Sequence, residues 1–246
     1  MSSTSTVATR AATVAPYTSS IAGTDDQVRA AQRLRHKVFA GEFGAERDTA
    51  GRELDAACDH LIVEHEPTGE IVGTYRLLPP GRRAQLYSET EFDLGALDPI
   101  RSSLVEAGRS CVHPQHRSGA VINQMWSALA RYVLLSGHRY LAGCASVSLA
   151  DDGIAATDTA WIVRQKHSSP ADLRVRPHHP WPVPEPAGRP SPAQVPALLR
   201  GYLRLGAWVC GPPAHDPGFG VADFFVLLQL NRIDQRYLRY FLGEGR

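Results

Sequence analysis

The residue types best equipped for chemistry are gathered in one stretch, Glu106-Ala-Gly-Arg-Ser-Cys-Val-His113, and in the turn after it, Pro114-Gln-His-Arg-Ser-Gly-Ala120. The pattern from Val105 to Val112 predicts a strand, and Pro114 ends it because proline has no N–H to give a ladder. Beyond the turn, Val121, Ile122, Met125, Leu129 and Val133 recur at helical spacing. A small, basic turn that opens a helix aims backbone N–H groups and the positive helix end at one spot, which favours a phosphate or another anion. Glu106 and Arg109 face opposite ways in a regular strand and share a face only across a bulge. A structural ion link between them is the alternative to a shared site.

The elements that must hold this stretch are legible on both sides of it. Thr24-Asp-Asp-Gln27 signals a helix start, with Thr24 as N-cap, and Val28, Ala31, Leu34, Val38 and Phe39 form its buried stripe. Arg35 and Phe39, one turn apart, lie side by side on it. Leu61-Ile-Val-Glu64 and Ile71 to Leu78, joined by Pro67-Thr-Gly-Glu70, predict an antiparallel hairpin. Arg76 leaves that hairpin beside Val72 and Thr74, on a face that must be wet or a pocket. Arg139 to Leu149 is a continuous apolar run, as expected of a strand covered on both faces. A helix over 153–166, another over Ala193–Leu205, a strand pair from Gly206–Gly211 and Val221–Leu230, and a closing amphipathic helix over Ile233–Leu242 complete the reading. Helices set between strand pairs imply an α/β (α+β) domain of three layers.

Composition bounds the class. The chain has 246 residues, enough for one large core, and its net charge of +1 leaves no footprint for nucleic acid. It contains no run of about 18 apolar residues that could span a membrane, and Met1 to Arg10 lacks the apolar core of a secretory signal. Cys58, Cys111, Cys144 and Cys210 are far apart, which predicts reduced, mostly buried thiols in a cytoplasmic protein. Residues 1–22, rich in Ser, Thr and Ala, are expected to be a flexible arm, and 23–246 a single domain. Within it, 168–196 is dense in proline and reads as an extended surface loop carrying Arg174, Arg176, His178 and His179.

With these residues set out, the chain resembles the acyltransferases of the GNAT fold, in the branch that takes acyl groups from acyl carrier protein. Leu34-Arg-His-Lys-Val-Phe39, Ile71-Val-Gly-Thr-Tyr-Arg-Leu-Leu78, Phe92-Asp-Leu94 and Glu106-Ala-Gly-Arg109 resemble the autoinducer (acyl-homoserine lactone) synthases. Closer still is the ornithine-acyl-ACP N-acyltransferase family, which makes lyso-ornithine lipid. Cys58-Asp-His-Leu61, Gly108-Arg-Ser-Cys-Val-His113 and Gly201-Tyr-Leu-Arg-Leu-Gly-Ala207 all find counterparts there. The resemblance covers roughly residues 27 to 242. It implies a GNAT-like fold with a central mixed, mostly antiparallel sheet flanked by helices. It also implies transfer of a long, in some members 3-hydroxylated, acyl chain to the α-amine of ornithine. His116-Arg-Ser-Gly-Ala-Val121 keeps only the first glycine of the usual GNAT phosphate loop, which weighs against coenzyme A and suits the single phosphate of a carrier-borne 4'-phosphopantetheine.

Moving an acyl group from a thioester to an amine needs a polarised carbonyl, a deprotonated ammonium, an anchored acceptor and a protonated leaving thiol. Backbone N–H groups near Cys111, Val112 and His113 are candidate oxyanion donors, each worth about 3 kcal/mol of barrier. Glu106 is the candidate base, directly or through a water, and His113 the alternative, since a histidine titrates near neutrality. The resemblance assigns Arg35, Phe39, Arg76 and Arg109 to the acceptor, a guanidinium being suited to a carboxylate. Asp55, Asp59 and Asp93 then orient those arginines or meet a cationic side chain. Arg117, Ser118, Gly119 and Ala120 would receive the phosphate, and Met125, Trp126, Phe224 and Phe225 could line an acyl slot. Arg117 and the basic loop could meet an acidic acyl carrier protein, a solvated surface being the plainer reading. No tightly bound cofactor and no metal are expected; a lyso-lipid product suggests peripheral contact with the inner face of the membrane. Two other readings compete: a lactone synthase, which would need S-adenosylmethionine, or another N-acyl amino acid synthase; and a non-catalytic acyl-carrier or lipid-binding module.

Overall fold

A computed structural model describes residues 16–43 and 52–234, together with Arg236, Tyr237 and Arg239. In chain order the elements are β1 (Tyr17–Ile21), α1 (Asp25–Phe43), β2 (Asp59–His65), β3 (Glu70–Leu78), β4 (Phe92–Asp93), β5 (Leu104–Val112) and α2 (Gly119–Leu135). They continue as β6 (Tyr140–Ser148), α3 (Ile154–Lys166), β7 (Arg176–Pro177), α4 (Ala197–Arg204), β8 (Trp208–Val209), β9 (Ala214–Asp216) and β10 (Val221–Gln229). The main sheet runs β1-β2-β3-β5-β6-β10-β8, with β9 also on β10, while β4 and β7 make a separate ribbon. One face carries α2, α3 and α4 on a core of Leu61, Leu77, Leu129, Leu141 and Phe224. The other is covered by α1 and by short 3-10 segments around Leu54, Leu86, Leu94 and Leu97.

Every pairing in the main sheet is antiparallel except β5 with β6, and that parallel pair is the feature on which the site depends. It holds only from Leu104 opposite Tyr140 to Glu106 opposite Ala142, after which the strands part. At the vertex a Cβ on Gly143 would lie 2.1 Å from the Ala107 carbonyl oxygen, so only glycine lets β6 pass that close. Just above it β5 carries a bulge: its register with β3 slips between Thr74 opposite Cys111 and Arg76 opposite Gly108. Arg109 absorbs the extra residue at φ 53°, a left-handed backbone that costs a non-glycine residue about 1–2 kcal/mol.

Several sequence expectations are corrected. The arm does not reach residue 22, because Tyr17–Ile21 is an edge strand on β2; an edge strand needs only one packed face, and Tyr17 supplies it by stacking near His65 and His116. Pro196, which cannot donate to a preceding carbonyl, sets α4 to begin at Ala197 and leaves Pro192–Gln194 as a separate 3-10 turn. The proline-rich segment is fastened to the body, since β7 pairs with β4 and Val175 is buried. Residues 1–15 of the expected arm and half of the expected closing helix lie outside the described residues. Among the described residues no helix is long and apolar enough to cross a membrane.

Candidate active site

Where β5 and β6 diverge, the sheet opens into a cavity of about 620 Å³ that reaches both of its faces. Its two ends differ in chemistry. Toward α1 it is lined by Arg76, Glu106, Arg109, Glu91, Asp216 and Asp223; toward α2 and α4, by Tyr75, Met125, Trp126, Leu129 and Leu198. Its mouth is bordered by the exposed Arg117, Ser118 and Gly119, beside Cys111 and Val112.

Glu106 is buried at the vertex, and its two carboxylate oxygens accept the N–H groups of Tyr87 (2.7 Å) and Ser88 (2.8 Å). The strand thereby fixes the 3-10 turn Tyr87–Thr90 that roofs this end. Arg109 points into the same space: its Nη2 donates to the Tyr87 hydroxyl at 3.2 Å, and its Cζ lies 5.2–5.4 Å from the ring centres of Phe39, Tyr87 and Phe219. The bulge thus does put Glu106 and Arg109 on one cavity. Arg76 also reaches it, 5.5 Å from the Tyr87 ring centre, while its Nη1 donates to Asp55 Oδ1 at 3.4 Å.

Behind this wall sits a closed charge cluster. Asp55 is held between Arg35 and Arg76, all three buried, with Gln32 Nε2 donating to its Oδ2 at 3.1 Å. Burial alone would raise the Asp55 carboxyl, but the hydrogen bond and charge of Arg35, with the charge of Arg76, outweigh it and leave it below the usual range.

The opposite wall is acidic, and sequence reading missed it. Carboxylate oxygens of Glu91, Asp216 and Asp223 lie within 4.8 Å of one another, an arrangement suited to a cation. Asp223 is almost fully buried, accepts from Ser146 Oγ at 2.5 Å and is hydrogen-bonded to Glu91. Glu91 Oε2 is buried with no hydrogen-bond partner among the described residues. Burial, reinforced by the neighbouring Asp223 charge, pushes the Glu91 carboxyl up to about 9, and burial raises Asp223 as well. One signal was available: an aspartate inside Val221-Ala-Asp-Phe-Phe-Val226, a run that otherwise reads as covered on both faces.

The apolar arm runs beside α2. Gly119, Ile122, Met125, Trp126 and Leu129 border it, so it follows three turns of the helix, about 15 Å. Trp126 packs edge-on against Tyr202 at 4.5 Å, and the Tyr202 hydroxyl meets that of Tyr75 at 2.7 Å, which closes the wall without an unsatisfied polar group. Phe224 and Phe225 are solid core and do not border the cavity. At the mouth Ser118 is the N-cap of α2, yet its side chain makes no capping bond. The first-turn N–H groups are thus left without that internal acceptor. Arg117 is tethered to Glu42 and to the Val112 carbonyl.

Other residues singled out from the sequence lie elsewhere. His113 does not border the cavity: its N–H donates to the Val72 carbonyl at 2.8 Å, and its Nε2 is 2.9 Å from Lys37 Nζ. Burial and the Lys37 charge lower its pKa. With its N–H spent in the ladder, His113 offers no oxyanion donor. Asp59 pairs with Arg82 and accepts from the Tyr132 hydroxyl, Asp93 is exposed and accepts the Gly95 N–H, and neither borders the cavity, nor do Arg35, Asp55 and Ala120. Of the four cysteines, all free, Cys58, Cys111 and Cys144 border the cavity, and burial raises the Cys58 and Cys144 thiols, which disfavours a nucleophilic thiolate.

Residues 34–127 match the acetyltransferase (GNAT) domain model. The chain is 32% identical over 242 residues to the L-ornithine N(alpha)-acyltransferase of Rhodobacter capsulatus, covering 89% of this chain and 93% of that one. It is likewise 32% identical over 244 residues to the enzyme of the same name from Brucella abortus, covering 89% and 86%. Among solved structures, the N-acyl amino acid synthase FeeM from uncultured soil microbes superposes with a TM-score of 0.55 at 11% identity, over 87% of this chain and 90% of that one. The CoA-dependent acyl-homoserine lactone synthase BjaI gives 0.51 at 16% identity, over 90% and 83%. These likenesses show a shared fold, the GNAT fold.

Proposed function

Because the chain belongs to the L-ornithine N(alpha)-acyltransferase family and is an acyltransferase of the GNAT fold, we propose that it moves a long fatty acyl group, with or without a 3-hydroxyl, from acyl carrier protein to the α-amine of ornithine, giving lyso-ornithine lipid. The observation that carries this reading is one cavity crossing the sheet at the β5–β6 fork, charged at one end and apolar at the other. Ornithine has one carboxylate and two ammonium groups. The reading puts the carboxylate on Arg109, next to Arg76, and the side-chain ammonium on the acidic wall of Glu91, Asp216 and Asp223.

The donor's phosphate then rests at the start of α2 beside Arg117, Ser118 and Gly119, its pantetheine arm passes Cys111 and Val112, and its acyl chain fills the arm beside α2. The amine attacks the thioester carbon; the C–N bond forms, the C–S bond breaks, and the thiolate leaves and takes up a proton. Glu106, which borders the cavity, receives the ammonium proton through a water, since backbone N–H groups already engage both its oxygens. Acyl carrier protein meets Arg117 and the basic segment Arg174 to His179. The enzyme works in the cytoplasm, against the inner face of the membrane that takes up its product.

Incubating the purified chain with 3-hydroxyacyl-ACP and single amino acids, with product detected by mass, tests the reading. Acylated ornithine supports it. Lactone formed only with S-adenosylmethionine, transfer only from acyl-CoA, or acyl-ACP binding without turnover would replace it.

A further inference from the structure

A chain of hydroxyl groups enters the apolar arm where that arm leaves the fork. Ser110 follows the bulge residue Arg109 on β5, and its side chain is hydrogen-bonded to the hydroxyl of Tyr75, which packs in the core under α2. The Tyr75 oxygen is in turn 2.7 Å from that of Tyr202. Both tyrosines are buried and Ser110 is half-buried; Ser110 and Tyr75 border the cavity, and Tyr202 does not. Burial raises both phenols above their ordinary range, so each keeps its hydrogen. Only one direction of donation uses every buried hydrogen. Were Ser110 to donate to Tyr75 and Tyr75 to Tyr202, the Tyr202 hydrogen would have no acceptor among the described residues, which is costly in an apolar core. With Tyr202 donating to Tyr75 and Tyr75 to Ser110, the hydrogen left over is that of Ser110, at the cavity. In the donor path given above, the pantetheine arm passes Cys111 and Val112, which follow Ser110, and the acyl chain runs past Tyr75, Met125 and Trp126. The thioester carbonyl, which joins the two, therefore falls beside Ser110.

Resting on that donor path, we propose that Ser110 is a catalytic residue that polarises the thioester: its hydroxyl donates a hydrogen bond to the acyl carbonyl oxygen, and Tyr75 is the positioning residue that turns the Ser110 hydrogen outward. As the amine attacks, the C–N bond forms and the C=O π pair moves onto oxygen, where the Ser110 hydrogen bond strengthens. No proton leaves Ser110. When the tetrahedral intermediate collapses, the pair returns, the C–S bond breaks and the thiolate departs. His113, with its N–H in the ladder, does not supply this donor.

Initial rates with acyl-ACP and ornithine varied in turn test this. Ser110→Ala lowers kcat about 100-fold, the scale of one lost oxyanion donor, with both KM values within about 3-fold. Ser110→Thr, which keeps the hydroxyl, recovers kcat to within about 10-fold of the wild type, and Tyr75→Phe lowers kcat about 10-fold, more than Tyr202→Phe does. Infrared spectra of bound acyl-ACP, isotope-labelled at the carbonyl, read the polarisation itself. The carbonyl band moves to lower frequency on the wild-type enzyme and returns toward its free position on Ser110→Ala. Full activity of Ser110→Ala, a loss confined to the KM for acyl-ACP, or an unshifted band on the wild type would overturn the assignment. So would a loss seen with 3-hydroxyacyl-ACP but not with the unsubstituted chain, which would make Ser110 a reader of the chain hydroxyl. A wild-type enzyme that acylates no ornithine would instead remove the underlying reading, and the assignment with it.

Discussion

Two carboxylate clusters stand on either side of the Tyr87 roof, and they are built in opposite ways. Asp55 is enclosed by two arginines whose charges outweigh its burial, so its carboxyl lies below the usual range. Glu91, half-buried, lies against the buried Asp223, with Arg109 at ring-stacking distance from three aromatics, and both carboxyls are raised, Glu91 to about 9. Asp55 is fully engaged by its two arginines, and the pairs tie Arg76, α1 and the 3-10 turn Arg52–Ala57 together against the sheet. Glu91 and Asp223 instead share a hydrogen bond, with no arginine ion-paired to them among the described residues. Of the two parts open to Asp55 from the sequence, orienting the arginines or meeting a cationic acceptor, it performs the first, holding Arg35 and Arg76.

The largest effect expected from this contrast is on stability. Asp55→Ala would leave two buried guanidinium groups without their shared counter-charge, at a cost of about 3–5 kcal/mol. Urea denaturation should show it, and a loss below about 1 kcal/mol would mean the cluster is not the structural one. Next comes recognition. Combining Glu91→Gln with Asp223→Asn should raise KM for ornithine by about 10- to 100-fold, the range of one or two charge-assisted hydrogen bonds. Folding should be intact, and normal KM in that variant would return the role to the Asp55 side.

The smallest effect is a signature in pH. Glu91 has a folded value of about 9 against an ordinary 4.5, so the native state holds a proton that the unfolded chain has lost between those values. Its contribution is complete below about 4.5 and disappears as pH rises through about 9. Asp55, lowered from 3.8, behaves in the reverse sense: its contribution is present above 3.8 and is lost as pH falls through its lower folded value. Melting temperature should therefore decline between about pH 4.5 and about 9 in the wild type, and Glu91→Gln should flatten that decline while leaving the loss below pH 3.8 unchanged. An unaltered decline would count against a buried, protonated Glu91.

The parts of this site that could be read from sequence are those encoded locally. The run from Glu106 through Gly119 announces strand, turn and helix by its own periodicity and by Pro114, and the alternation of β3 places Arg76 on a pocket face. Glu106 and Arg109 could be paired only by supposing a bulge, which the register slip at Arg109 supplies. The acidic wall was hidden because its members come from the β3–β5 connector, β9 and β10, and only folding makes neighbours of residues so far apart. Gly143 looks like any small residue in an apolar strand until the Ala107 carbonyl is seen against it. His113 drew attention by chemical type, but just past the end of β5, where it caps the 3-10 turn Pro114–His116, it meets Lys37 rather than the fork.

The most direct test of the two-ended cavity is a crystal structure with an N-acyl-ornithine product bound. The carboxylate should contact Arg109, the side-chain ammonium should lie at hydrogen-bond distance from Asp223 or Glu91, and the acyl chain should run beside α2 past Trp126 toward Leu129. A product bound with its ammonium near Asp59 or Asp93, or with its acyl chain outside the fork, would contradict the account.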